Sequence, residues 1–279
     1  MPVDALKIAL YMQGTFDKPN PNQQEMDAML AAAKDIRGSG FGTVLLGQWH
    51  VHADGSIYYN DTPLDDVLQT LKVIPKALKE GGSVREVLVT FLDGFQYIKD
   101  HPEQFKSTIA NLRENAAIDG LDWDLEADYD QNRDLLVDLT RWANDLGMMV
   151  TAAPYTNSSF WTDVLWRTNP GGSPGFAWWN LQLYGGASYP DWVGYLQGLV
   201  ANPEAFLVPG YSITQGVSQT ETPSYVENNL RQLRSSHPSI NGAFIWRYED
   251  MKPEGYSPTQ YAAAIARGLG GSTSDDAEG

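Results

Sequence analysis

Along its 279 residues the chain alternates short apolar runs with segments of helical periodicity, eight times over. The apolar runs fall at 6–11, 41–46, 86–92, 118–126, 148–153, 176–184, 205–211 and 241–247. Helical spacing follows at 23–37 and 64–78, in a helix opened by Pro102, and at 132–146, 160–167, 191–200, 224–235 and 258–269. Strands that alternate with helices cannot all be joined by tight hairpins, so they form a parallel sheet with helices covering its outer face. Eight such units in a chain of this length are the count for a closed barrel. The expected fold class is therefore α/β, a (β/α)8 TIM barrel, as a single domain. A doubly wound open sheet would need a Gly-rich phosphate loop after the first strand, and Met12-Gln13-Gly14-Thr15-Phe16 is not one. Residues 49–60 interrupt the alternation as a hairpin-like excursion turning at Asp54-Gly55. The catalytic domain is read as 1–269, and 270–279 as a polar acidic tail expected to be disordered.

The chemically informative stretch is Asp119-Gly120-Leu121-Asp122-Trp123-Asp124-Leu125-Glu126. At a strand period of two, Asp122, Asp124 and Glu126 share one face, and Leu121, Trp123 and Leu125 share the other. Successive acids on that face are about 6–7 Å apart. Crowded carboxylates cannot all ionise, so at least one is expected to keep a proton near neutral pH. A protonated acid beside an ionised one is the equipment for breaking a glycosidic bond. A solvated edge strand would not need Leu, Trp and Leu on its second face. An EF-hand loop would need a Gly and spaced oxygen ligands that do not follow here.

In a barrel the site lies at the carboxyl ends of the strands. Those ends carry Tyr11, Gln48 and Trp49, Tyr155, Gln182 and Tyr184, and Trp246. Rings stack on the apolar faces of sugars, while amides and phenols bond hydroxyl groups, so this rim suits a saccharide. The formal charge of −16 argues against nucleic acid and anionic membrane surfaces as partners. No apolar run is long enough to span a bilayer. Cysteine is absent, which excludes disulfides, thiolate metal sites and cysteine nucleophiles. His50 and His52 alternate as on a strand but have no third ligand in view, so they are read as rim residues and no metal is expected. Met1-Pro2-Val3-Asp4 has no basic leader region; the expected location is cytoplasmic, or secreted if a leader has been removed.

The acidic stretch resembles the Asp-Gly-x-Asp-x-Asp-x-Glu motif of glycoside hydrolase family 18, the chitinases and endo-β-N-acetylglucosaminidases. Strands one, five, six and eight are similar to the hevamine-type branch, through Ile8-Ala9-Leu10-Tyr11, Thr151-Ala152-Ala153-Pro154, Asn180-Leu181-Gln182-Leu183-Tyr184 and Gly242-Ala243-Phe244-Ile245-Trp246. The resemblance implies a retaining, substrate-assisted cleavage of β-1,4 linkages in N-acetylglucosamine glycans, with no metal or organic cofactor. It implies Glu126 as the general acid/base, Asp124 as the group orienting the substrate's acetamide, and Asp122 as its proton-sharing neighbour. Tyr184 would bond the acetamide oxygen, and Trp246 would floor the reacting subsite. One departure stands out: Leu92-Asp93 replaces the small residues usual at the end of strand three. The resemblance leaves chitin and N-glycan substrates both open, and a sugar-binding lectin or inhibitor on the same barrel is the rival class. The expected partner is an N-acetylglucosamine-containing oligo- or polysaccharide, and the protein is taken as a monomer.

Overall fold

The computed structural model describes residues 6–169, 175–214 and 221–271. The first residues, read for a leader, and residues 272–279 of the expected tail lie outside them. The chain runs through β1 (Lys7–Met12), α1 (Gln23–Arg37) and β2 (Thr43–Val51), then β3 (Ile57–Tyr59), β4 (Thr62–Pro63) and α2 (Leu64–Lys79). Next come β5 (Glu86–Asp93), α3 (Phe95–Asp100), α4 (Pro102–Ala116), β6 (Gly120–Trp123), α5 (Tyr129–Asp145), β7 (Met149–Ala152), α6 (Ser158–Arg167) and β8 (Trp178–Leu181). A 3-10 turn (Leu183–Gly185) leads to α7 (Tyr189–Tyr195), α8 (Pro203–Phe206), β9 (Leu207–Ser212), α9 (Pro223–Ser236), β10 (Gly242–Trp246), α10 (Tyr248–Met251) and α11 (Pro258–Gly268).

Strand β1 pairs in parallel with β2 on one side and β10 on the other. The parallel strands β1, β2, β5, β6, β7, β8, β9 and β10 therefore close on themselves, and the fold is a (β/α)8 TIM barrel in a single domain. Alternation along each strand divides the core in two. Ala9, Tyr11, Leu45, Leu88, Trp178, Val208 and Phe244 point inward and fill the barrel. Their neighbours Leu10, Val44, Val89, Leu121, Trp123 and Trp179 point outward under the helices. Helix α1 opens on a capping box between Asn22 and Glu25, and α11 on one between Ser257 and Gln260, each satisfying end N–H groups that the helix leaves unpaired.

Several boundaries differ from those read in the sequence. The second strand does not stop at 46; β2 runs on to Val51 and pairs antiparallel with β3, which is the expected hairpin. The fourth strand ends at Trp123 rather than at 126. Asp124 N–H makes a last sheet-like bond to the Phe91 carbonyl, and Asp128, in the left-handed region at φ 51°, then starts α5. The sixth strand ends at Leu181, so Tyr184 sits on the 3-10 turn. Residues 205–206 are helical rather than strand, because Pro203 opens a turn and the Asn202 side chain accepts from Ala205 N–H.

The glycine of the acidic stretch has a packing cause. A Cβ on Gly120 would lie 2.3 Å from the Met149 carbonyl oxygen across the β6–β7 seam. Gly120→Ala is expected to cost about 1–3 kcal/mol through overpacking against backbone. That loss would be read as an earlier urea midpoint. An unchanged midpoint would mean that the seam yields freely.

Candidate active site

The site is assembled from Asp122 upward. Asp122 is the inward residue near the end of β6 and is fully buried. Its Oδ2 accepts from the Tyr11 hydroxyl at 2.8 Å, and its Oδ1 accepts from the Thr151 hydroxyl at 2.6 Å and from Asn180 Nδ2 at 3.3 Å. Asn180 is held in turn by Trp178 Nε1, which donates to its Oδ1 at 2.9 Å. Residues of β1, β7 and β8 thus all aim donors at one carboxyl group. Burial pushes the Asp122 pKa up, and the bonds from Thr151 and Tyr11 pull against it. Donors on both oxygens make Asp122 the hydrogen-bond acceptor of the cluster.

Asp124 is also buried, just beyond the strand end. Its carboxyl is held well above the usual carboxylate range, first by burial and then by the charges of Glu126 and Asp122; a bond from Gln182 opposes the shift. Of the two buried acids, Asp124 is the one whose surroundings push it further toward the protonated form. Gln182 Nε2 donates to Asp124 Oδ1 at 2.8 Å and to the Ala153 carbonyl at 2.8 Å, and reaches Glu126 Oε1 at 3.4 Å. This one amide ties the two outer acids to the wall of β7. Glu126 is solvent-exposed at the mouth, and its charge acts on Asp124, Tyr155 and Tyr184.

Tyr184 and Tyr155 are half-buried beside these acids. Burial, then Asp124, then Glu126 push the Tyr184 phenol well above its ordinary value; burial and then Glu126 act on Tyr155. Both phenols remain hydrogen-bond donors at any physiological pH. Trp246, half-buried at the end of β10, has its ring centroid 5.5 Å from that of Tyr11.

Three of the sequence-predicted rim residues are placed differently. Tyr11 is only 1% exposed and lies beneath Asp122, so it positions that carboxyl and does not line the cleft. Trp49 is fully buried outside the barrel, against Tyr59 and Phe91. The pairing register of β2 with β5 shifts between Leu46 and Trp49, which turns Trp49 to the helix side. Gln182 faces the acids rather than an open sugar site. Gln48 stays at the rim, half-buried and bonded by Gln13 Nε2 at 3.3 Å. The first acid of the stretch, Asp119, lies at the opposite end of β6, where it accepts from Lys79 Nζ at 2.8 Å and from Val87 N–H at 2.8 Å.

Thr151 and Asn180, quoted above only within the strand likenesses, and Glu221 were not read as site residues. The first two are polar residues at inward positions of apolar strands, which is the signal that was available for them. Glu221 follows β9, accepts from Ser212 N–H, and acts electrostatically on Tyr184. Burial pushes its carboxyl up to about 7. The folded state therefore binds a proton that the unfolded state releases near its ordinary value. The resulting stability is complete below the unfolded pKa and is lost as pH rises through about 7. Glu221→Gln is expected to flatten the fall in melting temperature between pH 5 and 8; an unaltered pH profile would exclude this titration.

Among the described residues, no helix is long and apolar enough to cross a membrane. No model of a known family matches the chain, and no curated protein matches it in sequence. Solved structures share its fold. A GH18 chitinase from Pseudoalteromonas aurantia is 14% identical with a TM-score of 0.65, the match covering 94% of this chain and 100% of that one. A fungal endo-β-N-acetylglucosaminidase of glycosyl hydrolase family 18 is 21% identical with a TM-score of 0.67, over 95% and 100% of the two chains. A tamarind chitinase-like lectin is 11% identical with a TM-score of 0.56, over 94% and 99%. At these identities the likeness is one of fold, and that fold serves enzymes and a lectin alike.

Proposed function

We propose that the protein is an endo-acting glycoside hydrolase that cleaves β-1,4 linkages in N-acetylglucosamine glycans with retention of configuration, assisted by the substrate's own acetamide. The observation that carries this reading is the row of acids at the barrel mouth: Asp122 buried and bonded on both oxygens, Asp124 buried beside it with its pKa pushed up by burial and by its acid neighbours, Glu126 open to the cleft, with Gln182 joining the outer two. The spacing of the stretch supports a chitinase-like site, and the likeness of four strands favours the hevamine-type branch within it.

In the proposed reaction Glu126 acts in its protonated form, having taken a proton from solvent at the open mouth, and gives that proton to the leaving glycosidic oxygen. The acetamide carbonyl oxygen attacks the anomeric carbon, and the carbon–oxygen bond to the leaving group breaks, giving an oxazolinium ion. Asp124 passes its proton toward Asp122 and, as a carboxylate, accepts the acetamide N–H and faces the developing positive charge. Tyr184 donates to the carbonyl oxygen and keeps it in line. Glu126, now ionised, takes a proton from water as the water adds to the anomeric carbon. Trp246 supplies an apolar face for the reacting ring.

Chitohexaose and a high-mannose glycopeptide incubated separately with the protein, with products read by mass spectrometry, test the proposal. Shortened oligomers support a chitinase, and release of the glycan between its two core N-acetylglucosamines supports an endo-β-N-acetylglucosaminidase. Binding with neither substrate cleaved would make the protein a lectin and overturn the proposal.

A further inference from the structure

Away from the acid row, α1, the loop after β1, α10 and the start of α11 border a cavity of about 620 Å3. Its walls include Tyr248, Tyr256, Met251, Asp35 and Glu249. We propose that this cavity binds a small organic cation, a quaternary ammonium group carrying an apolar substituent. The inference is independent of the glycan reading given above.

The cavity is framed by the segment that follows β10. Tyr248 and Met251 lie on α10, and the chain then passes Pro253 and Tyr256 before Ser257 caps α11. Met251 and Pro258 are buried and supply an apolar floor. Tyr256 is held edge-on against Tyr261, with centroids 5.7 Å apart and planes at 78°. Glu249 is held from the loop after β1: its Oε2 accepts from Gln13 N–H at 2.9 Å, and its Oε1 accepts from the Thr15 hydroxyl at 2.5 Å. A lining ordered before the ligand arrives lowers the entropy cost of binding.

Charge sets the sign of the ligand. Glu249 and Asp35 join no ion pair among the described residues; Arg247, which lies near Glu249, pairs with Asp250 at 3.0 Å instead. Lys252 is the basic residue of the lining, and it is exposed and paired with neither acid. Burial, then Asp35, then Glu249 push the Tyr248 phenol up to about 12, so both carboxylates act on this wall. A cation in the cavity gains from both charges, and an anion is repelled by both. A bare metal ion would need three or more ligating side chains together, and among the described residues no such group of His, Asp or Glu occurs.

Polarity sets the kind of cation. Phenol rings attract a cation over their faces, more strongly where water is excluded. A primary ammonium brings three N–H donors, which the floor of Met251, Pro253 and Pro258 cannot accept. Both oxygens of Glu249 already accept a bond, so Glu249 offers charge more than a vacant acceptor. A quaternary ammonium has no N–H to satisfy and presents only methyl groups to the floor. The volume is that of a pocket for a larger ligand than a trimethylammonium head alone, which leaves room for an apolar substituent.

Gln13 stands between this cavity and the barrel mouth. Its N–H is given to Glu249, while its side-chain amide donates to Gln48 at the rim at 3.3 Å. The acids of β6 take no part in the cavity wall.

The test is calorimetric titration of the intact protein with benzyltrimethylammonium, benzylammonium and benzyl alcohol. The quaternary ion is expected to bind at a single site, the primary ion about fivefold more weakly, and the neutral alcohol about tenfold more weakly or worse. Tyr248→Leu and Glu249→Gln should each weaken the quaternary ion about tenfold. Melting curves check that these variants fold; if either does not, Asp35→Asn decides, because Asp35 is exposed and its replacement leaves the packing intact, and it should weaken the ion about threefold. No binding of the quaternary ion, equal or tighter binding of the primary ion or the alcohol, or undiminished binding in the folded variants would overturn the proposal. The last result would mean diffuse attraction to an acidic surface in place of a site.

Discussion

Glu126→Gln is expected to lower turnover of N-acetylglucosamine oligomers by about 10²- to 10⁴-fold while leaving their dissociation constants unchanged. The substitution keeps the length and planar end of the side chain. Its amide oxygen can still accept from Gln182 Nε2, which now lies 3.4 Å from the carboxylate. What is lost is the proton given to the leaving oxygen and the base that later activates water. Because Glu126 is solvent-exposed, its replacement opens no cavity and should not unfold the barrel. Removing its charge also relieves part of the repulsion felt by Asp124. Equal turnover in the variant and the wild type would remove Glu126 from the chemistry.

Asp124→Asn should separate stability from activity. The buried Asp124 carboxyl has its pKa raised by burial and by Glu126 and Asp122. In the native state it stays protonated over a range where the unfolded chain ionises. Wild-type stability is therefore fullest below the unfolded pKa and falls as pH rises toward the folded one. Asn is neutral throughout and keeps an oxygen for the Gln182 amide that donates at 2.8 Å. The variant should melt above the wild type at pH 7, by about 2 °C for each kcal/mol of relieved strain, with the gap closing toward pH 4. Hydrolysis should fall by about 10²-fold or more through loss of a positioned carboxylate. Melting curves for both proteins across this pH range, with one rate measurement at each end, check both parts. A variant less stable at pH 7 would mean that Asp124 is charged in the native state.

The barrel was legible because its cause is local. Each strand announces itself as an apolar run and each helix by its spacing, and eight repeats of that pair leave one closed arrangement. The acids were legible for the same reason, since three carboxylates at a period of two have no ordinary packing role. What escaped depends on contacts between distant parts of the chain. Trp49 was read as a rim ring, but a register shift in β2 turns it outward against Tyr59 and Phe91. Tyr11 was placed in the cleft, but its hydroxyl is spent on Asp122, 111 positions away in sequence. Helix α3 is a six-residue piece separated from α4 only at His101, too short for its spacing to show in sequence. Thr151 and Asn180 became visible as cradle residues only once three strands were seen to converge on Asp122.

The central claim is that a proton-bearing acid row at the barrel mouth breaks a glycosidic bond with the help of the sugar's own acetamide. The most direct measurement follows, by proton NMR, the first products from an N-acetylglucosamine oligomer and from the same oligomer stripped of its acetyl groups. The account predicts that the acetylated chain is cut with the β-anomer appearing first, and that the deacetylated chain is left whole. Comparable cleavage of both chains, or an α-anomer as the first product, would contradict it.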